Sequence, residues 1–280
     1  MFKVLKSVAI ATAALALCAY PIHADNARSL FSASLKQMEM GKKILTTEYF
    51  PLRSIREIDN FENNRAEVIV RESNYLEHES LQVTVSPDHQ AIDPSLAVNP
   101  ENACDGCTFL NVPTAQPFQN GTIEVDVAST LPENAPPFAR GFIGIVFRVE
   151  AKYASDGKID AKNSRYEGIY LRPLNSKDNS QLRRNFSVQY ISNPGYPWYL
   201  LRENSPGMYE TYAPLEPGMW TRMRIEVEGT VARLYLNGSL EPTLIVNDLK
   251  QGEGLRGAVG LFTEPYTIAY FKNLKITHVP

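Results

Sequence analysis

The middle of the chain carries aromatic and strongly hydrogen-bonding side chains on three neighbouring segments that alternate like β-strands. Tyr166, Tyr170 and Arg172 share one side of the second segment, because side chains two residues apart point the same way from a strand. Arg148 lies in the segment before it, opposite an apolar face, and Gln189 lies in the segment after it. Aromatic rings stack on flat ligands, and Arg and Gln donate directional hydrogen bonds to hydroxyl or carboxylate oxygens. The pattern indicates a binding face, or else an outer face that is covered by a loop or simply solvated.

A second candidate binding element is the proline-rich run that follows these segments. Tyr196, Trp198 and Tyr199 stand beside two prolines, and Arg202 closes the run. Because proline restricts the backbone at a low entropic cost, we expect an extended loop that displays the three rings as a stacking surface. Loops on rigid β-frameworks often hold binding residues. The alternative is that these rings cover the core.

Acidic residues decide whether such a surface could catalyse a reaction. Cleavage of a glycosidic bond requires two carboxyl groups about 5–10 Å apart. Glu167, Glu203 and Glu210 are the candidates nearest in sequence to the binding residues. Glu167 shares its side of the segment with Ile169 and Leu171, so we expect it to be buried with a raised pKa or to lie at the strand end. The sequence leaves open whether any two of these acids cluster.

Two of the three cysteines form the tight pair Cys104-Asp-Gly-Cys107. We predict a local disulfide, because cysteines of exported proteins meet an oxidising environment. A redox motif would require a strand-to-helix junction, which this segment does not show. A zinc site would need two further ligands, and the four histidines are dispersed. We therefore predict no metal site and no cofactor, although the loops contain enough Asp and Asn for a structural calcium ion without a calcium-loop spacing.

The N-terminus predicts export. Two lysines precede an apolar stretch from Val8 to Ala19, and Ala24 offers a cleavage site. This layout is typical of a bacterial secretory signal peptide, and the apolar stretch is shorter than the roughly 20 residues of a membrane span. We expect residues 1–24 to be removed and the mature protein to act in the periplasm or outside the cell, with no transmembrane segment. A buried N-terminal helix is the alternative.

Charge and residue pattern restrict the class of protein. The formal net charge is −3, and residues 1–24 contain two lysines and no acid, so the remaining chain is more acidic still and is not a nucleic-acid binder. Residues 26–46 show the only good helical period. From about residue 55, ten or more short strand-like segments follow, with turn signals such as Asn237-Gly238 and no crossover helices, which predicts a sandwich or barrel. We expect a signal peptide over 1–24, a partly helical extension over 25–54 and one β-domain over 55–280.

The C-terminal half contains four segments in a recognisable order. They are Trp220-Thr-Arg-Met-Arg-Ile-Glu-Val-Glu-Gly, Ala232-Arg-Leu-Tyr-Leu-Asn-Gly, Gly257-Ala-Val-Gly-Leu-Phe and Ala269-Tyr-Phe-Lys-Asn-Leu-Lys-Ile. With Gly121-Thr-Ile-Glu-Val-Asp-Val, they resemble concanavalin A-like jelly rolls, in the style of laminin-G-like domains and the bacterial 3-keto-disaccharide hydrolase family. The resemblance covers about residues 58–278. It implies an all-β, antiparallel two-sheet jelly-roll sandwich that follows a short N-terminal helical extension in the sequence.

The resemblance also implies a partner, an oligo- or polysaccharide. One sheet face of a jelly roll commonly receives a glycan, which favours the middle-strand face and the aromatic run as the site. Glu124-Val-Asp126 matches the first two acids of the related glucanase motif, but Ser129 stands where its second Glu is expected, so that mechanism does not carry over. We expect an exported carbohydrate-binding sandwich. A glycoside hydrolase or lyase of the same fold, including the 3-keto-disaccharide type, and a laminin-G-like adhesive module are the alternatives.

Overall fold

Two antiparallel β-sheets pack face to face in this protein, which a computed structural model describes over residues 45–90 and 107–280. Sheet 1 contains β1 Thr46–Phe50, β3 Val68–Tyr75, β4 His78–Val85, β6 Gly121–Thr130, β11 Thr221–Glu228, β12 Val231–Leu236, β13 Leu244–Val246 and β15 Ile268–His278. Sheet 2 contains β2 Arg65–Ala66, β5 Phe109–Val112, β7 Ile143–Glu150, β8 Arg165–Leu171, β9 Val188–Asn193, β10 Glu210–Thr211 and β14 Ala258–Thr263. This is the jelly-roll sandwich that the sequence predicts.

The strand order brings distant parts of the chain together. Sheet 1 runs β13-β12-β11-β6-β15-β4-β3, and β1 also pairs with β15. Sheet 2 runs β10-β9-β8-β7-β14-β5-β2. Every pairing between these strands is antiparallel, as expected where the described connections hold only short helices of seven residues or fewer.

Short helices fill the connections. They are the 3-10 turns Ile55–Glu57, Phe61–Asn64 and Ala161–Asn163, and the helices α1 Pro87–Gln90, α2 Pro173–Ser176, α3 Gln181–Arg184 and α4 Trp198–Asn204. No helix in the described part of the chain is long and apolar enough to cross a membrane.

Alternation along the strands builds the core between the sheets. In β6, Ile123, Val125 and Val127 are buried, and Met223 and Ile225 of β11 lie directly opposite the first two of them. A slip of one residue would turn these side chains outward, so the apolar pattern fixes the register. The same alternation leaves the polar residues of sheet 1 on its outer face.

A β-bulge changes the direction of one predicted site residue. The pairing of β7 with β8 shifts between Phe147 and Glu150, and Arg148 there has a φ of 55°. A left-handed residue in a bulge re-aims its side chain, so the simple alternation used in the sequence prediction fails at this position. The prediction that Arg148 lies on the outer face of sheet 2 is therefore wrong.

The sandwich begins earlier than the sequence predicts. β1 pairs with β15 from Thr46 opposite His278 to Phe50 opposite Leu274, within the segment predicted as an extension. Residues 1–44, which hold the predicted signal peptide and most of the predicted helical stretch, lie outside the described residues. Asn237 and Gly238 both have a positive φ, as the turn signal predicts, but the connection between β12 and β13 spans residues 237–243 instead of two residues.

Candidate functional site

The face predicted to bind a ligand is buried. Tyr166, Tyr170, Arg172 and Gln189 are each exposed to 5% or less. The two tyrosines belong to a second hydrophobic cluster, here called the outer cluster, which covers the outer face of sheet 2. Its buried members are Ala66, Phe109, Val146, Val149, Ile159, Ala161, Tyr166, Tyr170, Ile191 and Phe262. Because Ile159 and Ala161 come from the connection between β7 and β8, part of the cover is that connection itself.

The glycines on this face leave no room for a ligand. A Cβ atom added at Gly144 would lie 2.3 Å from the carbonyl oxygen of Ile169. A Cβ atom added at Gly168 would lie 3.0 Å from Cγ1 of Ile191. The space that the sequence assigns to a bound sugar is occupied by the protein's own atoms, so these glycines serve close packing.

Arg148 ties loops together inside the molecule. Its guanidinium donates to the carbonyl oxygens of Gln119 at 2.7 Å, Gly229 at 2.7 Å and Gly252 at 3.1 Å, and to Oδ1 of Asn120 at 3.2 Å. The residue is 0% exposed. Burial lowers the pKa of this guanidinium, and the nearby carboxylate of Glu167 opposes that change. Arg148 is thus a structural residue out of a ligand's reach.

Arg172 organises the aromatic side chains at one end of sheet 2. It donates to the hydroxyl of Tyr170 at 2.6 Å, and its guanidinium lies over the rings of Phe142, Tyr170 and Trp198. Gln189 accepts from it at 3.5 Å, a marginal distance. A buried guanidinium stacked on three rings is held by cation–π attraction as well as by hydrogen bonds.

Arg202 completes this arrangement from α4. Its Nε and Nη2 atoms donate to the carboxylate of Glu210, at 2.6 Å for the shortest contact, and the Glu210 side chain is only 4% exposed. The Arg202 guanidinium also lies 3.6 Å from the ring centroid of Phe186 and 4.7 Å from that of Trp198. The structure brings together five of the residues predicted to bind a ligand, but it pairs and stacks them in an internal cluster. They are Tyr170, Arg172, Gln189, Trp198 and Arg202.

The proline-rich run adopts a different shape from the one predicted. Trp198 begins the helix α4, so it and Tyr199 sit on a helical turn and pack edge to face with their rings 5.8 Å apart. Tyr196 is exposed and lies elsewhere, 5.6 Å from the ammonium of Lys250. The expectation of one extended loop is wrong, since Trp198 and Tyr199 lie on a helix and Tyr196 lies before it.

The three candidate catalytic acids do not converge. Glu167 is buried and accepts hydrogen bonds from the hydroxyl of Tyr190 at 2.6 Å and the amide of Gln251 at 2.8 Å. Glu203 is exposed on α4, and Glu210 is held by Arg202. No two of them face a common accessible cleft.

Glu167→Gln should change how stability depends on pH. Burial raises the pKa of Glu167 more than the hydrogen bonds from Tyr190 and Gln251 lower it. Because the pKa of Glu167 is higher in the folded than in the unfolded protein, this group stabilises the fold fully at pH values below its unfolded pKa. That stabilisation is lost as pH rises through the folded pKa. In chemical denaturation from about pH 4 to 8, the variant should gain stability relative to the parent as pH rises. A difference in the free energy of unfolding that stays constant over this pH range would contradict the raised pKa of Glu167.

The acids of the glucanase-like segment are locked in ion pairs on the outer face of sheet 1. Glu124 accepts from Arg222 and from Lys275, each at 2.9 Å, and Asp126 accepts from Arg222 at 3.2 Å. Burial raises the pKa of Glu124, but these hydrogen bonds lower it further, so the net shift is downward. A carboxyl group that stays ionised is a poor general acid, which agrees with leaving that mechanism aside.

Sequence reasoning missed an open cavity that the described residues form. We call it the asparagine pocket, and its volume is about 520 Å³. The polar residues that line it are Asn60, Asn63, Asn64, Asn111, Thr114 and Tyr153, and the others are Pro113, Pro117, Val149, Ala151, Gly157, Gly257 and Ala258. No described residue in this lining carries a formal charge. Four separate stretches of the chain contribute to it, residues 60–64, 111–117, 149–157 and 257–258, and no motif in the sequence joins them.

Amide groups in the wall of the pocket are only partly satisfied. Asn111 donates to Oδ1 of Asn64 at 3.3 Å, while Oδ1 of Asn111 is buried without a hydrogen-bond partner. An unpaired buried acceptor costs about 1–3 kcal/mol. Asn63 is exposed at the rim, and Tyr153 at the same rim is 57% exposed. The pocket thus combines amides with an accessible ring.

The predicted disulfide and the absence of metal stay predictions. Cys107 is disulfide-bonded, and Cys104 lies outside the described residues. Within residues 45–90 and 107–280, no group of three or more His, Cys, Asp or Glu side chains is arranged to hold a metal ion.

The sequence of the sandwich matches a known protein family. The sequence model of the 3-keto-alpha-glucoside-1,2-lyase-like domain matches residues 84–277, more than half of the chain. The chain belongs to this family. The predicted resemblance to the 3-keto-disaccharide hydrolase group of concanavalin A-like sandwiches is thereby confirmed. No curated protein matches the chain.

One solved structure shares the fold of this family member, and two others are similar to a lesser degree. A protein of unknown function with a galectin-like fold from Bacillus subtilis has a TM-score of 0.52 at 15% identity, over 85% of this chain and 97% of that one. The carbohydrate-binding module CBM66 from Bacillus subtilis has a TM-score of 0.41 at 14% identity, over 76% and 97%. A putative glycosyl hydrolase from Parabacteroides distasonis has a TM-score of 0.41 at 15% identity, over 83% and 100%. At these identities the first likeness concerns the fold alone.

Proposed function

We propose that this family member is an exported saccharide-binding protein and that the asparagine pocket holds the sugar. The observation that carries the proposal is the pocket itself, an open cavity of about 520 Å³ lined by amides and one exposed ring. Its volume falls within the roughly 300–1,000 Å³ of small-molecule sites. Because each amide both donates and accepts hydrogen bonds, asparagines match hydroxyl groups, which do the same.

The lining favours recognition over catalysis. General acid–base cleavage needs a carboxyl group or another titrating side chain at the reacting bond. The described lining of the pocket has no Asp, Glu, His, Lys or Arg, and Tyr153 is its only ionisable residue. We therefore expect a neutral saccharide to bind with an affinity that changes little between about pH 5 and 8.

Membership of the family favours a second candidate function, cleavage of a 3-keto-alpha-glucoside. The family model spans most of the sandwich, including pocket residues from Asn111 to Ala258. Suitable probes are methyl α-glucoside, maltose and trehalose, each with its 3-keto form. Binding without product formation supports the binding function, and release of the aglycone or second sugar supports the enzyme.

Tyr153→Ala and Asn63→Ala should each weaken binding of these sugars by about tenfold, because they remove a stacking ring and an exposed amide at the rim. Ala151→Trp should abolish binding by filling the cavity. Tyr49→Ala is the matched control, since Tyr49 is 56% exposed on β1 and lies outside the pocket lining. Calorimetric titration measures the sugar affinity of all four variants. Equal affinity in the parent and Ala151→Trp would overturn the location of the site.

The N-terminal sequence supports the export part of the proposal. Its charged start, apolar stretch and Ala24 follow the layout of a signal peptide. Recovery of the chain from the cytosol with residues 1–24 still attached would contradict export.

A further inference from the structure

The outer face of sheet 1 carries a group of packed rings, here called the aromatic platform, made of Tyr75, Trp220 and Tyr270. Tyr75 and Tyr270 stack almost parallel, with centroids 3.9 Å apart and planes 7° apart. Trp220 meets Tyr75 edge to face at 5.9 Å, and His78 meets Trp220 at 6.1 Å. The rings face outward because Tyr270 alternates with core residues along β15.

The platform is held in place by the backbone beside it. The hydroxyl of Tyr75 donates to the carbonyl oxygen of Gly218 at 2.7 Å, and this fixes the ring at the end of β3. All three platform rings are only partly buried. Rings that are partly exposed and held in place by one another are suited to packing against the apolar face of a sugar.

A cation without an anionic partner lies next to the platform. Lys272 follows Tyr270 by two residues on the same side of β15, and its ammonium lies 4.4 Å from the ring centroid of Trp220. The residue is 9% exposed, and no hydrogen bond or ion pair to another described residue engages it. Its cross-strand neighbour Asp126 is bound instead by Arg222 at 3.2 Å and by Asn273 at 2.8 Å.

The surroundings of Lys272 disfavour the charged form of its ammonium. Burial lowers the pKa of Lys272, and the carboxylate of Asp126 only partly offsets this. A second donor nearby, Nε1 of Trp220, is also buried without a hydrogen-bond partner. An anionic oxygen above the platform would compensate the ammonium, and a well-placed charge-assisted hydrogen bond is about twice as strong as a neutral one.

We propose that the aromatic platform and Lys272 form a second binding site, for a sugar that carries a carboxylate, that is, a uronic acid residue. The ring of such a sugar can pack against the outer side of the stacked Tyr75–Tyr270 pair while its carboxylate reaches the ammonium of Lys272. A neutral sugar would leave the ammonium unpaired. This site goes beyond the proposed function, because it lies on sheet 1 and takes an acidic sugar, whereas the asparagine pocket is uncharged.

Tryptophan fluorescence can test the site directly. The chain has two tryptophans, so Trp198→Phe leaves Trp220 as the only emitter. Titration of this protein with trigalacturonate should give a saturable change in emission. The same trisaccharide with its carboxyl groups reduced to alcohols should bind at least about tenfold more weakly, because it lacks the charge.

Two lysine variants give a matched comparison. Lys272→Met should weaken binding of trigalacturonate by about tenfold or more. Lys275→Met removes the same charge from the same strand, but Lys275 is paired with Glu124, so we expect a change of less than about twofold. If Lys272→Met does not fold, Tyr75→Ala at the end of the edge strand β3 should cause the same loss by removing the stacking ring.

Three results would overturn the proposal. They are no saturable change in the millimolar range, equal affinity for the acidic and the reduced trisaccharide, or equal losses in Lys272→Met and Lys275→Met. Equal losses in the two lysine variants would mean that the acidic sugar is attracted only by the general positive charge of this face. None of these results would contradict the proposed sugar site in the asparagine pocket, because Ala151→Trp tests that site separately with neutral sugars.

Discussion

Arg148→Met should lower the free energy of unfolding by about 3–5 kcal/mol. Methionine fills a similar volume but donates no hydrogen bond. Three carbonyl oxygens would lose this donor in the interior, where each unsatisfied acceptor costs about 1–3 kcal/mol before relaxation. Oδ1 of Asn120 would lose one of its two donors and keep the amide of Gly229 at 2.9 Å. The buried carboxylate of Glu167 would also lose its neighbouring positive charge.

Chemical denaturation with urea measures this effect. Arg71→Met is the control, because Arg71 is exposed on the edge strand β3, and a substitution there should change stability by less than about 0.5 kcal/mol. The free energy of unfolding of Arg148→Lys should lie between those of Arg148→Met and Arg71→Met. An ammonium keeps the charge but cannot span four acceptors. A loss below about 1 kcal/mol for Arg148→Met would contradict a structural role for its hydrogen bonds.

Gly257→Ala should destabilise the protein by about 1–3 kcal/mol or more, through overpacking against backbone. A Cβ atom at this position would lie 1.9 Å from the carbonyl oxygen of Val149 in the neighbouring strand. The position cannot shift freely, because the amide and carbonyl of Gly257 are both hydrogen-bonded to Phe118, at 3.0 and 2.7 Å.

Gly254→Ala supplies the control within the same loop. A Cβ atom there meets nothing within 4 Å, so the variant should keep the parent's melting temperature. Thermal unfolding of both variants measures the contrast. Because Gly257 also lines the asparagine pocket, the variant should lose sugar affinity as well. Equal melting temperatures for the two variants would show that β7 and the loop can separate at little cost.

The strands and their inward faces could be predicted from the sequence, because alternation in β6 and β11 is a local property. The bulge could not be predicted, since it depends on how β7 pairs with β8, and without it the direction of Arg148 is assigned to the wrong face. β1 was missed for a related reason. Its partner β15 lies at the other end of the chain, so nothing nearby in sequence indicates the pairing.

The candidate site was harder to predict than the fold. Alternation places Tyr166 and Tyr170 on the outer face of sheet 2 correctly, but it cannot show that Ile159 and Ala161 cover that face. The asparagine pocket depends on four separate stretches of the chain, near positions 63, 111, 153 and 257, which only the fold brings together. A site built in this way has no sequence spacing, so only the tertiary structure reveals it.

The pairing of β1 with β15 has a mechanical consequence. The strands are antiparallel, and Thr46 lies opposite His278, so the two ends of the described sandwich leave it side by side. Tension applied between these ends would load the interstrand bonds one after another, as in opening a zipper, instead of shearing them all at once. Each such bond contributes only about 0.5–1.5 kcal/mol. Under pulling, β1 should therefore peel away first while the core between the sheets stays intact.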